Sequence, residues 1–137
     1  MADGDLAKTL VGAYYETVYN GRDAQAARAF LAEGFASAGP GGSMTLEQHV
    51  GALGATLAAI PDLVLAIDEQ VGEGSAVVTR WTVRGTHQGP LFGIPATGRA
   101  ITATAIHIHH VRDGRIVDQW EQFDALGVLR QLGVLPG

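Results

Sequence analysis

The hydrophobic period of this chain changes once, at Pro61, and that change decides which class of fold is open to it. Before Pro61 apolar residues recur at helical spacing; after it they alternate. The segment Asp5 to Asn20 puts Leu6, Leu10, Ala13, Tyr14 and Thr17 on one helical face, with Val11, Tyr15 and Val18 beside it. Asn20-Gly21 ends that helix, and Asp23 is an N-cap for a second, alanine-rich helix carrying Ala27, Phe30 and Leu31 toward a core. The stretch from Ser37 to Ser43, with Gly39-Pro40-Gly41-Gly42 inside it, reads as a loop. Thr45 followed by Gln48 makes a capping box and opens a third helix, with Leu46, Val50, Leu53 and Leu57 on one stripe and Pro61 as its stop. Gly51 and Gly54 each cost that helix about 1 kcal/mol relative to alanine, which implies a closely approaching neighbour.

Past Pro61, Leu63, Leu65 and Ile67 alternate with polar or small residues, as do Val77, Trp81 and Val83, so each run predicts a strand with one buried face. Two further strands, about Ala100 to Val111 and Ile116 to Phe123, flank the turn Arg112-Asp113-Gly114-Arg115. A Gly/Pro-rich connection, Gly85 to Gly98, precedes them, and Leu126, Leu129 and Leu132 mark a short terminal helix. Helices first and strands afterwards indicate an α+β domain with helices packed on one face of a curved antiparallel sheet.

Composition narrows the function. The 137 residues suit one domain, 1–137, able to bury about two thirds of its unfolded surface. Apolar residues make up 47% and charged residues 17%, so burial can offset chain entropy. A net charge of -5 argues against an electrostatic grip on nucleic acid or an anionic membrane, and leaves a small or neutral partner. With no cysteine there is no disulfide, thiolate metal site or cysteine nucleophile. No basic, apolar leader opens the chain and no apolar run approaches a membrane span, so a soluble cytoplasmic protein is expected.

Chemistry points to Ile106-His107-Ile108-His109-His110, where a strand sends His107 and His109 to one face and His110 to the other. The face of His107 also carries Ala103 and Ala105, small enough to leave a cavity. The next strand supplies Asp118, Glu121 and Asp124 around Trp120. A two-residue Asp113-Gly114 loop pairs 107 with 120 and turns Glu121 away. A three-residue loop pairs 107 with 119 and makes His107 and Glu121 diagonal neighbours, with α-carbons about 7 to 8 Å apart. The second register brings an acid and an imidazole to one face, where burial is expected to raise the Glu121 pKa toward neutrality. The alternatives are a hydrogen-bonded structural histidine and a metal site at the i, i+2 pair His107 and His109, for which no third ligand is evident, so no metal is assigned. Tyr14, Tyr15 and Tyr19 read as core or pocket-wall aromatics. Tyr15, Tyr19, Trp81, His87, His109 and Trp120 are the candidate substrate contacts, the tryptophans having core or dimer-interface packing as their alternative. His49 reads as an exposed first-turn residue.

Gly85-Thr86-His87-Gln88-Gly89, Gly93-Ile94-Pro95-Ala96-Thr97-Gly98-Arg99, Ile106-His107, Asp113-Gly114-Arg115-Ile116 and Arg130-Gln131-Leu132-Gly133, in this order, resemble the SnoaL-like polyketide cyclases of the nuclear transport factor 2-like superfamily. The resemblance implies a cone-shaped α+β barrel and a homodimer formed through the outer sheet face. It also implies a cofactor-free intramolecular aldol closure of a polyketide ester, with a carboxylate as general acid/base and a histidine assisting. The family histidine falls at His107, the carboxylate at Glu121 where the family has aspartate, and a pocket tyrosine at Tyr19. An asparagine that anthracycline cyclases carry on the third helix has no counterpart among Gly51, Ala52 and Leu53. The same fold also hosts noncatalytic binding or dimerisation modules, and epoxide hydrolases or isomerases whose Asp/Asn/Arg sets find only Arg99 here.

Overall fold

The computed structural model describes residues 3–135. Helix α1 (Asp3–Tyr15) runs into a wider π-helical turn, Glu16–Asn20, and a single 3-10 segment, Ala24–Ala29, follows. Then come β1 (Leu31–Gly39), β2 (Gly42–Thr45), α2 (Leu46–Ala59), β3 (Val64–Glu73), β4 (Ala76–Thr86), β5 (Ala100–Arg112), β6 (Arg115–Phe123) and α3 (Ala125–Gln131). The six strands form one curved sheet in the order β2-β1-β6-β5-β4-β3. The α+β class holds, and the sheet is open rather than closed into a barrel. Its neighbours are antiparallel except β1 and β6, which run parallel.

Local signals explain most boundaries. The Asp23 carboxylate accepts from Ala26 N at 3.1 Å, and Asp124 caps α3 through Gly127 N at 2.9 Å. The capping box at α2 is complete: Gln48 N donates to Thr45 Oγ1 at 3.3 Å, and Thr45 N to Gln48 Oε1 at 3.0 Å. A Cβ added at Gly54 would stand 3.8 Å from the Ala24 methyl, an ordinary contact, and one added at Gly51 would meet nothing within 4 Å, so neither glycine is demanded by a close approach.

Two expectations fail at the N-terminal end. Leu31 leaves the second helix to begin β1, and the supposed loop from Ser37 to Ser43 is the β1–β2 hairpin, turning at Pro40-Gly41. Small, weakly β-prone residues form strands there because β6 supplies the pairing partner. The inward face of α1 is also rotated by one position: Ala7, Val11, Tyr14, Tyr15 and Val18 are buried, whereas Leu6 is 55% exposed.

The π turn then carries Tyr19 over Tyr14, their ring centroids 6.2 Å apart, instead of past it. Asn20 pins this end of the helix to β3, donating to Leu65 O at 3.0 Å and accepting from Leu65 N at 2.8 Å. The core lies between the concave sheet face and the helices, with Val11, Tyr14, Phe35, Leu63, Val77 and Ile116 among its most buried members. Among the described residues no helix is long and apolar enough to cross a membrane.

Candidate active site

The β5–β6 hairpin turns on two residues, Asp113 and Gly114, both at positive φ (52° and 72°), with Arg112 opposite Arg115. That loop alone would pair His107 with Trp120. Val117, however, is left unpaired between Ile116 and Asp118, and this β-bulge moves the register by one residue, so that His107 stands opposite Glu121. The same-face expectation is met, but by a bulge and not by a three-residue loop. The two residues are direct partners and not diagonal ones.

They are hydrogen-bonded. His107 Nε2 lies 2.7 Å from Glu121 Oε2, and its Nδ1 lies 2.7 Å from the Tyr15 hydroxyl and 3.3 Å from Trp81 Nε1. His107 is wholly buried, whereas the Glu121 side chain keeps 39% of its exposure. An indole N–H can only donate, so Nδ1 is an acceptor and the imidazole proton sits on Nε2, directed at the carboxylate. The Glu121 pKa is not raised, as burial alone would have it. Burial does push it up, but the hydrogen bond and charge of His107, with a smaller contribution from His49, hold it below the ordinary glutamate value.

Glu121 looks into a cavity of about 180 Å³. Its wall is apolar (Leu53, Ile60, Val83, Ile101, Ala103 and Phe123 among others), with Tyr19, Trp81, His49 and Gln119 adding polar atoms. Glu121 is the one carboxylate among these lining residues. Met44, 37% exposed, and Phe92, 53% exposed, are the exposed members of the wall and mark its mouth. Phe92 is held there at φ 52° by a tight turn in which Leu91 and Ile94 exchange backbone hydrogen bonds of 3.0 and 2.8 Å.

Of the candidate contacts, Tyr19 and Trp81 line the cavity. Tyr15 stands behind His107, buried, its phenol pKa raised chiefly by burial. His109 is buried, its Nε2 2.8 Å from Gln119 Oε1, and burial drives its pKa down to about 3. His87 is buried in the β4–β5 connection, where its Nδ1 accepts from Thr97 N at 3.2 Å. Trp120, 46% exposed, lies on the opposite face of the sheet, because the bulge that brings Glu121 inward sends its neighbour out. Among the described residues no three of His, Cys, Asp and Glu converge as metal ligands.

His49 and Gln119 were missed. His49 is buried and lines the cavity, its Nε2 3.1 Å from the Tyr14 hydroxyl and its pKa down to about 4, again chiefly by burial. The signal was in the helical period: His49 falls three residues after Leu46 and four before Leu53, on the apolar stripe itself. Gln119, two residues from Glu121 and on its face, holds Ser37 Oγ at 3.2 Å.

The model of the family described as SnoaL-like polyketide cyclase matches residues 9–132. Aklanonic acid methyl ester cyclase DauD of a Streptomyces species is 40% identical over 68 residues, which are 47% of this chain and 42% of that relative's length. The matched segment thus spans less than half of this curated relative. Among solved structures, TsrD of Streptomyces laurentii superposes with a TM-score of 0.86 at 30% identity, over 98% of this chain and 100% of that one. IdmH of Streptomyces antibioticus does so with a TM-score of 0.80 at 31% identity, over 93% and 99%. A family match over nearly the whole chain, on a fold these structures share, makes this protein a member of the SnoaL-like polyketide cyclase family.

Proposed function

We propose that this protein is a cofactor-free acid/base enzyme that closes a ring in a polyketide ester. Glu121 removes a proton from carbon next to a carbonyl, and the enolate carbon attacks a second carbonyl of the same molecule. A carbon–carbon bond forms, and the new alkoxide takes the proton back from Glu121. No atom is gained or lost, so the product is an isomer of the substrate.

The observation that carries this reading is a lone carboxylate, deprotonated at neutral pH, facing an apolar cavity with a buried histidine behind it. His107 takes the role of orienting Glu121 and stabilising its charge. The relatives named as ester cyclases support an aromatic polyketide ester as substrate. The test is incubation with aklanonic acid methyl ester, read as a chromatographic shift at unchanged mass. Glu121→Gln is expected to abolish conversion, a loss of about 10²- to 10⁴-fold, and His107→Ala to lose less. Full conversion by Glu121→Gln with wild-type melting would remove Glu121 from the mechanism.

The reading includes a homodimer. On the outer sheet face Val78, Ile108, Trp120 and Ala38 stand in register across β4, β5, β6 and β1. This apolar row is flanked on one side by Arg80, paired with Asp68 and Glu69 at 3.6 Å, and on the other by His110 and Asp118 at 2.7 Å. Each protomer therefore offers an apolar row bordered by charges of both signs, which a two-fold axis can set against a second copy of itself.

A further inference from the structure

Two tight turns of this chain share one backbone geometry and differ in what stands at the first corner. At the β5–β6 turn Asp113 and Gly114 have φ 52° and 72°, and at the cavity mouth Phe92 and Gly93 have φ 52° and 72°. Leu91 and Ile94 close the second turn with paired backbone hydrogen bonds of 3.0 and 2.8 Å. A two-residue turn with both corners at positive φ favours Asn, Asp or Gly at the first of them, since a bulky side chain there crowds its own backbone. Asp113 obeys this rule and Phe92 breaks it. Packing within the chain does not account for the breach. Phe92 is 53% exposed, and the ring it meets, Phe123, is itself only half-buried, with centroids 6.1 Å apart. A large apolar ring kept on a strained, exposed corner has its partner outside the chain.

The corner is held still. Leu91 and Ile94 pack against the core. Gln88 N and Gly89 N both donate to Ala59 O at the end of α2, at 2.8 and 3.1 Å. Buried His87 ties the two ends of the β4–β5 connection together, its N donating to Arg99 O at 2.9 Å and its O accepting from Gly98 N at 2.8 Å. From Phe92 an aromatic file runs inward: Phe92 to Phe123 at 6.1 Å, Phe123 to Trp81 at 6.3 Å and Trp81 to His107 at 5.3 Å between centroids. Phe92, Phe123 and Trp81 all line the cavity, so the file begins in solvent and ends at the imidazole that backs Glu121.

We propose that Phe92 is a substrate-binding residue, stacking on fused aromatic rings that stay outside the cavity while the ester-bearing end of the same molecule reaches Glu121. Volume sets the division. The cavity of about 180 Å³ is close in size to an apolar cavity of about 150 Å³ that takes up one benzene molecule, so it holds one ring with its substituents. A body of three fused rings must extend through the mouth. There Phe92 presents a flat face already fixed in place, which costs little further ordering on binding, and Met44 of β2 presents a pliant thioether. The substrate class is therefore a planar polycycle with its reactive ester chain at one end, entering chain first. The direction of entry rests on the acid/base reading of Glu121, whereas the stacking site stands on the turn and the aromatic file.

The test uses esters with no enolisable carbon, so that binding is read apart from any reaction: methyl anthraquinone-2-carboxylate, with three fused rings, and methyl benzoate, with one, each titrated into the protein by NMR. The wild-type protein is expected to bind the fused ester about tenfold or more tighter than methyl benzoate. Phe92→Asn installs a residue that the turn favours and is expected to melt above the wild type. The same variant is expected to lose about 10- to 100-fold in affinity for the fused ester and no more than about twofold for methyl benzoate. Phe92→Trp keeps a stacking face and is expected to keep the affinity. A wild type without preference for the fused ester, wild-type binding of it by Phe92→Asn, or equal losses for both esters overturns the stacking site. A fall in the melting temperature of Phe92→Asn assigns the ring to the fold and overturns it as well. Conversion of aklanonic acid methyl ester is read separately: if the wild type leaves it unconverted while Phe92 still governs binding of the fused ester, ring closure falls and the direction of entry with it, and the stacking site stands.

Discussion

The indole N–H of Trp81 lies 3.3 Å from Nδ1 of His107, on the side of the ring away from Glu121. Trp81 thus lines the cavity and fixes the proton on the imidazole that backs the carboxylate. Tyr15 reaches the same nitrogen at 2.7 Å. With both groups in place His107 has no freedom to turn its proton away from Glu121.

Trp81→Phe keeps an aromatic wall and removes the donor. The expected outcome is a roughly tenfold fall in kcat/KM, the equivalent of one lost hydrogen bond at about 1.4 kcal/mol. Steady-state kinetics on the polyketide ester check it, and unchanged kinetics would show that Tyr15 alone suffices.

The pH dependence follows from the signs of the shifts. Glu121 acts as a base only when ionised, and its carboxyl is held below the ordinary 4.5. Activity should therefore stay level from neutral pH down past 4.5 and fall only when the lowered value is crossed, provided the fold survives. Survival is set by His49 and His109, with folded values of about 4 and about 3 against an ordinary 6.5. Between 6.5 and those values the unfolded chain binds protons that the fold refuses, so stability declines as pH drops. The slope is about 1.4 kcal/mol per pH unit for each histidine. Urea midpoints measured from pH 7 to pH 4.5 should fall steadily, and a flat series would contradict the buried neutral state.

Gly39 brings β1 against β6 where Glu121 sits. A Cβ added there would stand 2.7 Å from the Glu121 carbonyl oxygen, backbone that cannot swing aside. Gly39→Ala is expected to cost about 1 to 3 kcal/mol in thermal or chemical unfolding and to reduce turnover by displacing the acid.

Ile108→Lys places a charge in the middle of the outer apolar row. Light scattering on the wild-type protein is expected to give a dimer, and on the variant a monomer. A wild-type monomer would remove the dimer from the reading.

The helices, the last four strands and the α+β class were legible because their signals are local: a period, a cap, a breaker. The β1–β2 hairpin was not, since Gly34, Ala36, Ser37 and Ala38 become strand only when β6 lies beside them. Glu121 and His107 were identified as a pair, yet their register was not derivable from turn chemistry. Asp113-Gly114 does announce a two-residue turn, but nothing in Ile116-Val117-Asp118 announces that Val117 will be skipped. His49 was legible and was passed over, because a polar residue on an apolar stripe was read by its type and not by its position.

Val117 also sets a rule for changing this hairpin. Pairing Val117 into the ladder would bring the indole of Trp120 opposite His107 and leave the carboxylate outside in water, whereas deleting Val117 takes out the surplus and keeps Glu121 opposite His107 in an unbulged strand. A transplant of this catalytic pair behind a two-residue turn must therefore either keep one residue out of the ladder or omit it altogether, since the number of paired positions between turn and acid decides which side of the ribbon the acid takes.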